Sequence, residues 1–191
     1  MQALVERRAG SADTPERFEA MYRRCEEPVL SYALRRAPVE IARDAVADAF
    51  LAAWRRFDEL PQDPLPWLIG ATRKTLANQR RSTARQARLS ERLASEAAGA
   101  PLQPDASADD AIVRRAFRQL SAADREVLAL VAWDGLTPTQ AARSLECAPV
   151  TYRVRLHRAR RRLERALEHA SEVECRRAEL DRVDLAAKEA S

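Results

Sequence analysis

Glycine is nearly missing from this sequence, with four residues in 191. That leaves no glycine-rich loop of the kind that cradles phosphates. Aromatic residues make up only 5% of the chain and β-branched residues form few runs, so nothing supports strands and the chain is expected to be all-α. Three cysteines, Cys25, Cys147 and Cys175, lie far apart with no CxxC spacing. Cys25 and Cys147 therefore read as small buried hydrophobes, with no metal or redox role. The two histidines, His157 and His169, lie on or just after a basic helix, and no Ser/His/Asp grouping, HExxH or clustered metal ligand accompanies them. No enzyme, metal site or cofactor is expected. No apolar run approaches the roughly 20 residues of a membrane helix. The N-terminal stretch MQALVERRAGSADTPER lacks the apolar core of a signal peptide, so the expected location is the cytoplasm.

Alanine, arginine, leucine and glutamate dominate what is present. Arginine outnumbers lysine 31 to two, a bias attributed to genomic base composition. The net charge of +4 hides a segregation. Arg80–Arg92 and Pro149–Arg165 are basic, whereas Ala42–Phe50 and Asp105–Asp110 lean acidic. Two different partners follow, one of them polyanionic.

Apolar spacing divides the chain into two small helical domains. Residues 1–14 are expected to be disordered. A first domain, 15–89, opens with a helix carrying Phe18, Met21, Tyr22, Cys25, Val29 and Tyr32, ended by Pro38. A second helix, Val39–Phe57, aligns Val46, Phe50, Ala53, Trp54 and Phe57, with Asp44 and Asp48 exposed one turn apart. Asp58–Pro66, rich in proline and acids, reads as a loop. The third helix runs from Trp67 towards Leu89, and Trp54 and Trp67 are both expected in the core. Residues 90–108 form a linker interrupted by Gly99, Pro101 and Pro104. A second domain spans 109–170, and a charged tail, 171–191, either extends the last helix or folds against a partner.

The second domain carries the most informative stretch, LSAADREVLALVAWDGLTPTQAARSLECAPVTYRVRLHRARRRL. Gly135 suits the left-handed position that ends a helix. Thr137-Pro138-Thr139-Gln140 supplies a capping threonine, a proline where a missing N–H costs nothing, and a glutamine three residues on. Glu146-Cys147-Ala148 is the length of a helix-turn-helix turn, and Pro149 opens the next helix. On that helix Tyr152, Leu156, Ala159 and Leu163 share one narrow sector, the face to be buried. Val150, Arg153, Val154, His157, Arg158 and Arg161 lie opposite. Seven arginines and one glutamate fall between Pro149 and Arg165. Arginine's planar fork suits guanine edges and phosphates, so DNA recognition is the reading. A stand-alone helix-turn-helix regulator is the alternative, but it calls for a strand-built signalling domain that Phe18–Leu89 does not offer.

The segments DAVADAFLAAWRRF and PWLIGATRKTLANQRR resemble the second conserved domain of the bacterial extracytoplasmic-function sigma factors, of the sigma-70 family. LSAADREVLALVAWDGLTPTQAARSLECAPVTYRVRLHRARRRL resembles their fourth domain, most specifically in its ending TxxxRLHRARxxL. The resemblance covers Phe18 to Leu167 in the family's order.

It implies a factor that binds core RNA polymerase and directs transcription initiation, with no catalysis of its own. Asp44, Val46, Asp48, Phe50 and Leu51 match the helix that binds the polymerase clamp helices. Asp58–Arg81 matches the loop and helix that melt and read the minus-ten element, with Arg73, Lys74, Asn78, Arg80 and Arg81 as its DNA-binding side chains. In the recognition helix, Arg153, Val154, His157 and Arg158 match the positions that enter the major groove of the minus-thirty-five element. Arg155, Arg160 and Arg161 are assigned to its backbone. The fourth domain would rest on the polymerase flap, and an anti-sigma factor is a candidate partner. The chain departs from the family in having Ala45 and Ala47 where leucine and glutamine are usual, which implies fewer anchors for polymerase. It also has Val154 in place of a frequent serine, so the minus-thirty-five sequence cannot be borrowed from relatives.

Overall fold

The computed structural model describes residues 14–90 and 108–189, with side chains over 14–83 and 112–173. Seven α-helices are present among them: α1 Thr14–Leu34, α2 Val39–Arg55, α3 Leu65–Ser90, α4 Ala108–Gln119, α5 Ala122–Ala132, α6 Pro138–Ser144 and α7 Pro149–Glu189, with a single 3-10 turn at Phe57–Glu59. No strand occurs among the described residues, as the composition implies. The chain groups into two compact units. The first holds α1–α3 and the second holds α4, α5 and α7, with α6 divided so that Ala142–Cys147 groups with the first.

In the first unit α1, α2 and α3 pack pairwise. Met21, Cys25, Val29, Tyr32 and Ala33 of α1 meet a face of α2 built largely from alanine, at 42, 45, 49 and 53, together with Val46 and Phe50. Small residues there let neighbouring helices approach closely, and each buried alanine removes apolar surface with little side-chain entropy cost. Leu68, Ile69 and Leu76 of α3 are also buried, and the Thr72 hydroxyl donates to the Leu68 carbonyl at 2.9 Å. Pro28 lies inside α1, so one intrahelical bond is missing there.

Several boundaries differ from those read in the sequence. Thr14, placed in the disordered N-terminus, is the first residue of α1, and residues 1–13 lie outside the described ones. The loop expected over Asp58–Pro66 is shorter, because Leu65 and Pro66 form the first turn of α3, where proline loses no bond. Trp54, expected in the core, is 44% exposed. It packs edge-on against Phe18 with ring centroids 4.9 Å apart, and Trp67 is half-buried. Of the linker 90–108, Ser90 belongs to α3 and Ala108 to α4, and residues 91–107 lie outside the described ones.

In the second unit α4 and α5 both pack on α7. Ala116, Phe117 and Leu120, with Val127, Leu128, Ala129 and Leu130, face a stripe of Tyr152, Leu156 and Ala159. Leu163, placed on that stripe, is half-buried. Ala170 is also buried, and the backbone of the tail 171–189 continues α7 without a break. That is the first of the two alternatives left open for it.

Candidate nucleic-acid interface

The helix-turn-helix begins with the two signals found in the sequence. Gly135 has φ of 65°, and beyond it the Leu136 N–H reaches the Leu130 carbonyl at 3.0 Å. Thr137 and Gln140 then cap α6 reciprocally. The Thr137 N–H donates to Gln140 Oε1 at 2.9 Å, and the Gln140 N–H donates to Thr137 Oγ1 at 3.3 Å. Ser121 caps α5 in the same way, accepting from the Asp124 N–H at 3.1 Å. Each cap satisfies a donor that a helix start leaves unpaired.

The turn after α6 runs over residues 145–148, one longer than the three expected. Its geometry is that of a Schellman turn, with Glu146 N–H on the Arg143 carbonyl at 3.1 Å and Cys147 N–H on the Ala142 carbonyl at 2.9 Å. Such a turn needs a left-handed residue, usually glycine, and Glu146 takes that position with φ of 53°. Composition hides this feature because no glycine marks it. Cys147, expected to be a buried plug, is half-buried, while Cys25 is buried as read. Burial pushes the Cys25 thiol's pKa up, so it stays protonated and unreactive.

Opposite the buried stripe of α7 stands the basic face. Arg153, Val154, Arg155, His157, Arg158, Arg160 and Arg161 are all exposed, as is Val150. One of the seven arginines between Pro149 and Arg165 has a separate role. Arg162 Nη1 lies 2.7 Å from Asp124 Oδ1, and the same carboxylate accepts from the Ser121 hydroxyl at 2.7 Å. Arg162 therefore ties α7 to the capped start of α5. Farther on, Arg165 Nε donates to the Arg161 carbonyl at 3.2 Å.

In the first unit the basic residues of α3 divide by exposure. Lys74, Asn78, Arg80 and Arg81 are exposed and Arg73 is half-buried. Arg81 Nη2 donates to Asn78 Oδ1 at 2.5 Å, which pairs two of the expected DNA ligands with each other. Arg80 Nη2 donates to the main-chain carbonyl of Arg36, just past the end of α1. A helix end leaves such carbonyls without intrahelical partners, so the arginine completes the fold as well as carrying charge.

The acidic helix α2 requires a correction. Asp44 and Asp48 are exposed and Leu51 is 48% exposed, but Val46 and Phe50 are 7% and 5% exposed. Val46 and Phe50 thus belong to the core and not to a docking face, since positions two residues apart on a helix point away from each other. The exposed side of α2 instead joins Asp44 and Asp48 to Ile41, Ala47 and Leu51. Ala45 is buried, so its replacement of a leucine removes no surface anchor, whereas Ala47 is exposed.

Among the described residues no three His, Cys, Asp or Glu side chains are placed to hold a metal ion, and no helix is long and apolar enough to cross a membrane. Residues 21–86 match the family model described as Sigma-70 region 2, and residues 110–163 match that described as Sigma-70, region 4. The solved structure of the sigma factor RpoE in complex with the anti-sigma factor NepR from Bartonella quintana is similar. It is 25% identical, and the match covers 80% of this chain and 98% of that one with a TM-score of 0.61. CnrH, solved with the cytosolic domain of CnrY, shares the fold at 21% identity over 80% of this chain and 88% of its own, with a TM-score of 0.53. No curated protein matches.

Proposed function

We propose, because this chain belongs to the sigma-70 family as an extracytoplasmic-function sigma factor, that it binds core RNA polymerase and selects promoters by their minus-ten and minus-thirty-five elements. The observation that carries the reading is the presence of both matched regions on one chain, the second bearing an exposed arginine face on a capped helix-turn-helix.

The α7 face supports major-groove reading by Arg153, Val154, His157 and Arg158, with Arg155, Arg160 and Arg161 on phosphates. Bidentate guanidinium contacts to guanine supply specificity, and single contacts to phosphate supply position. The segment Asp58–Arg81 is assigned to melting and reading the minus-ten element. Unstacked bases need a shaped surface while basic groups follow the backbone, and Arg73, Lys74, Asn78, Arg80 and Arg81 would provide the latter. For the clamp helices of polymerase the face offered is Asp44, Asp48 and Leu51 with Ile41, an acidic pair set among apolar side chains. Domains of 15–89 and 109–170, joined by a linker over 90–108, would be held at promoter spacing by the polymerase, the second resting on its flap. An anti-sigma factor is a proposed partner, supported by the RpoE–NepR complex. The factor itself performs no catalysis and acts in the cytoplasm.

Transcription by core polymerase on a genomic library, with transcript starts sequenced, tests the reading. Starts that share two motifs and depend on the added chain are expected. Promoter-specific starts without it, or tight sequence-specific DNA binding by the chain alone, would overturn it, and the latter would favour a stand-alone regulator.

A further inference from the structure

At the centre of the exposed face of α7 the side chains are apolar. Val150 is 68% exposed, the most of any large apolar residue among the described ones, and Val154 is 44% exposed. They lie one helical turn apart in the first two turns of the helix, which begins at Pro149. At about 100° per residue both fall within roughly 30° of the line opposite the buried stripe of Tyr152, Leu156 and Ala159. Arg153 and His157 flank them on one side and Arg158 on the other, all exposed. The cationic side chains therefore border this end of the face, and valine occupies its middle. A single exposed valine needs no explanation, but two stacked on the face offered to DNA do.

We propose that Val150 and Val154 read thymine, by packing against the C5-methyl groups displayed in the major groove of the minus-thirty-five element. This rests on the promoter-binding reading above and gives it a class of base. A valine side chain has no hydrogen-bond donor or acceptor, so it offers nothing to a phosphate or to the polar base edges. The methyl group of thymine is the one apolar group that the four bases present in that groove. Recognition helices of helix-turn-helix domains meet base edges with their N-terminal residues, and these two valines stand there. Residues four apart rise about 6 Å along a helix, and successive base pairs rise about 3.4 Å. The two side chains thus reach methyl groups on neighbouring or next-neighbour pairs. Valine in a helix is nearly fixed in one rotamer, so little side-chain freedom is lost on contact. Serine, frequent in the family at position 154, bonds to several bases; valine withdraws that bond and narrows the choice. The resemblance assigns Val154 to the groove by position alone and leaves Val150 out.

Deoxyuridine lacks only the methyl group of thymidine, so it isolates the contact. The measurement is promoter binding by the reconstituted holoenzyme, with the minus-thirty-five thymines of both strands replaced one at a time by deoxyuridine. One or two replacements are expected to weaken binding by about fourfold each, the worth of one methyl group withdrawn from water. Val150→Ser and Val154→Ser should each abolish one of these sensitivities, so that thymine and uracil bind alike at that pair. Both sites are exposed and serine matches valine in helix propensity, so the melting temperature should hold. Normal initiation from a promoter indifferent to every replacement would overturn the thymine contact alone. So would sensitivities that survive in both variants, or a minus-thirty-five element with no A·T pair. Failure of the unaltered chain to direct initiation would instead overturn the promoter-binding reading itself.

Discussion

The hydroxyl of Tyr152 donates a hydrogen bond to the main-chain carbonyl of Val127 at 2.7 Å, pinning the first turn of α7 to the middle of α5. Both partners are buried, and the bond lies across the helix from the arginines offered to DNA. It holds the recognition helix by its inner face while the outer face stays unencumbered. Tyr152→Phe would leave the carbonyl buried without that donor. A loss of about 1–3 kcal/mol is expected, read as a lower denaturation midpoint at unchanged m-value.

On α2, burial separates residues that the family resemblance placed together in one polymerase-binding set. Arginine at both Asp44 and Asp48 should weaken assembly with core polymerase by a few kcal/mol, the scale of like-charge juxtaposition at an interface, with the circular dichroism melt unchanged. Phe50→Ala should instead cost roughly 3–5 kcal/mol of stability, as for other buried phenylalanines. Equal polymerase affinity for the double arginine variant and the unaltered chain would remove α2 from the interface.

On α7 the two kinds of DNA contact predict different signatures. Arg158→Ala, if bidentate to a guanine, should cost about 1–3 kcal/mol and relax selectivity at one promoter position. Arg160→Ala should weaken all promoters about equally and reduce the salt slope by about one. A uniform loss across promoter variants for Arg158→Ala would make it a positioning contact. Arg162→Ala should do neither, since that side chain is engaged with Asp124. Its pair is partly exposed, and a stability loss of no more than about 1 kcal/mol is expected.

Gly135 offers a test of backbone conformation without packing. Its φ is 65°, and a Cβ built there meets no atom within 4 Å. Gly135→Ala therefore adds no clash, and its cost is that of holding an alanine in the left-handed region. About 1 kcal/mol is expected, visible as a lower melting temperature with promoter selectivity retained.

What the sequence determined by itself is local in origin. The Thr137–Gln140 cap, the left-handed Gly135 and the opposed faces of α7 depend on residues within four positions of one another, and helical periodicity makes such relations readable. The three-helix first unit and the arginine face were legible for the same reason. Tertiary structure decided which side of each helix meets another helix. Apolar residues lie on both sides of α2, with Val46 and Phe50 inside and Ile41, Leu51 and Trp54 outside, and periodicity reports a shared face without saying what covers it. It decided too that Arg162 meets Asp124 across 38 positions and that Arg80 meets Arg36 across 44. A charged side chain carries no periodic mark of its partner, and the choice between solvent, a carboxylate and a helix-end carbonyl is made only when the backbone brings one of them within reach.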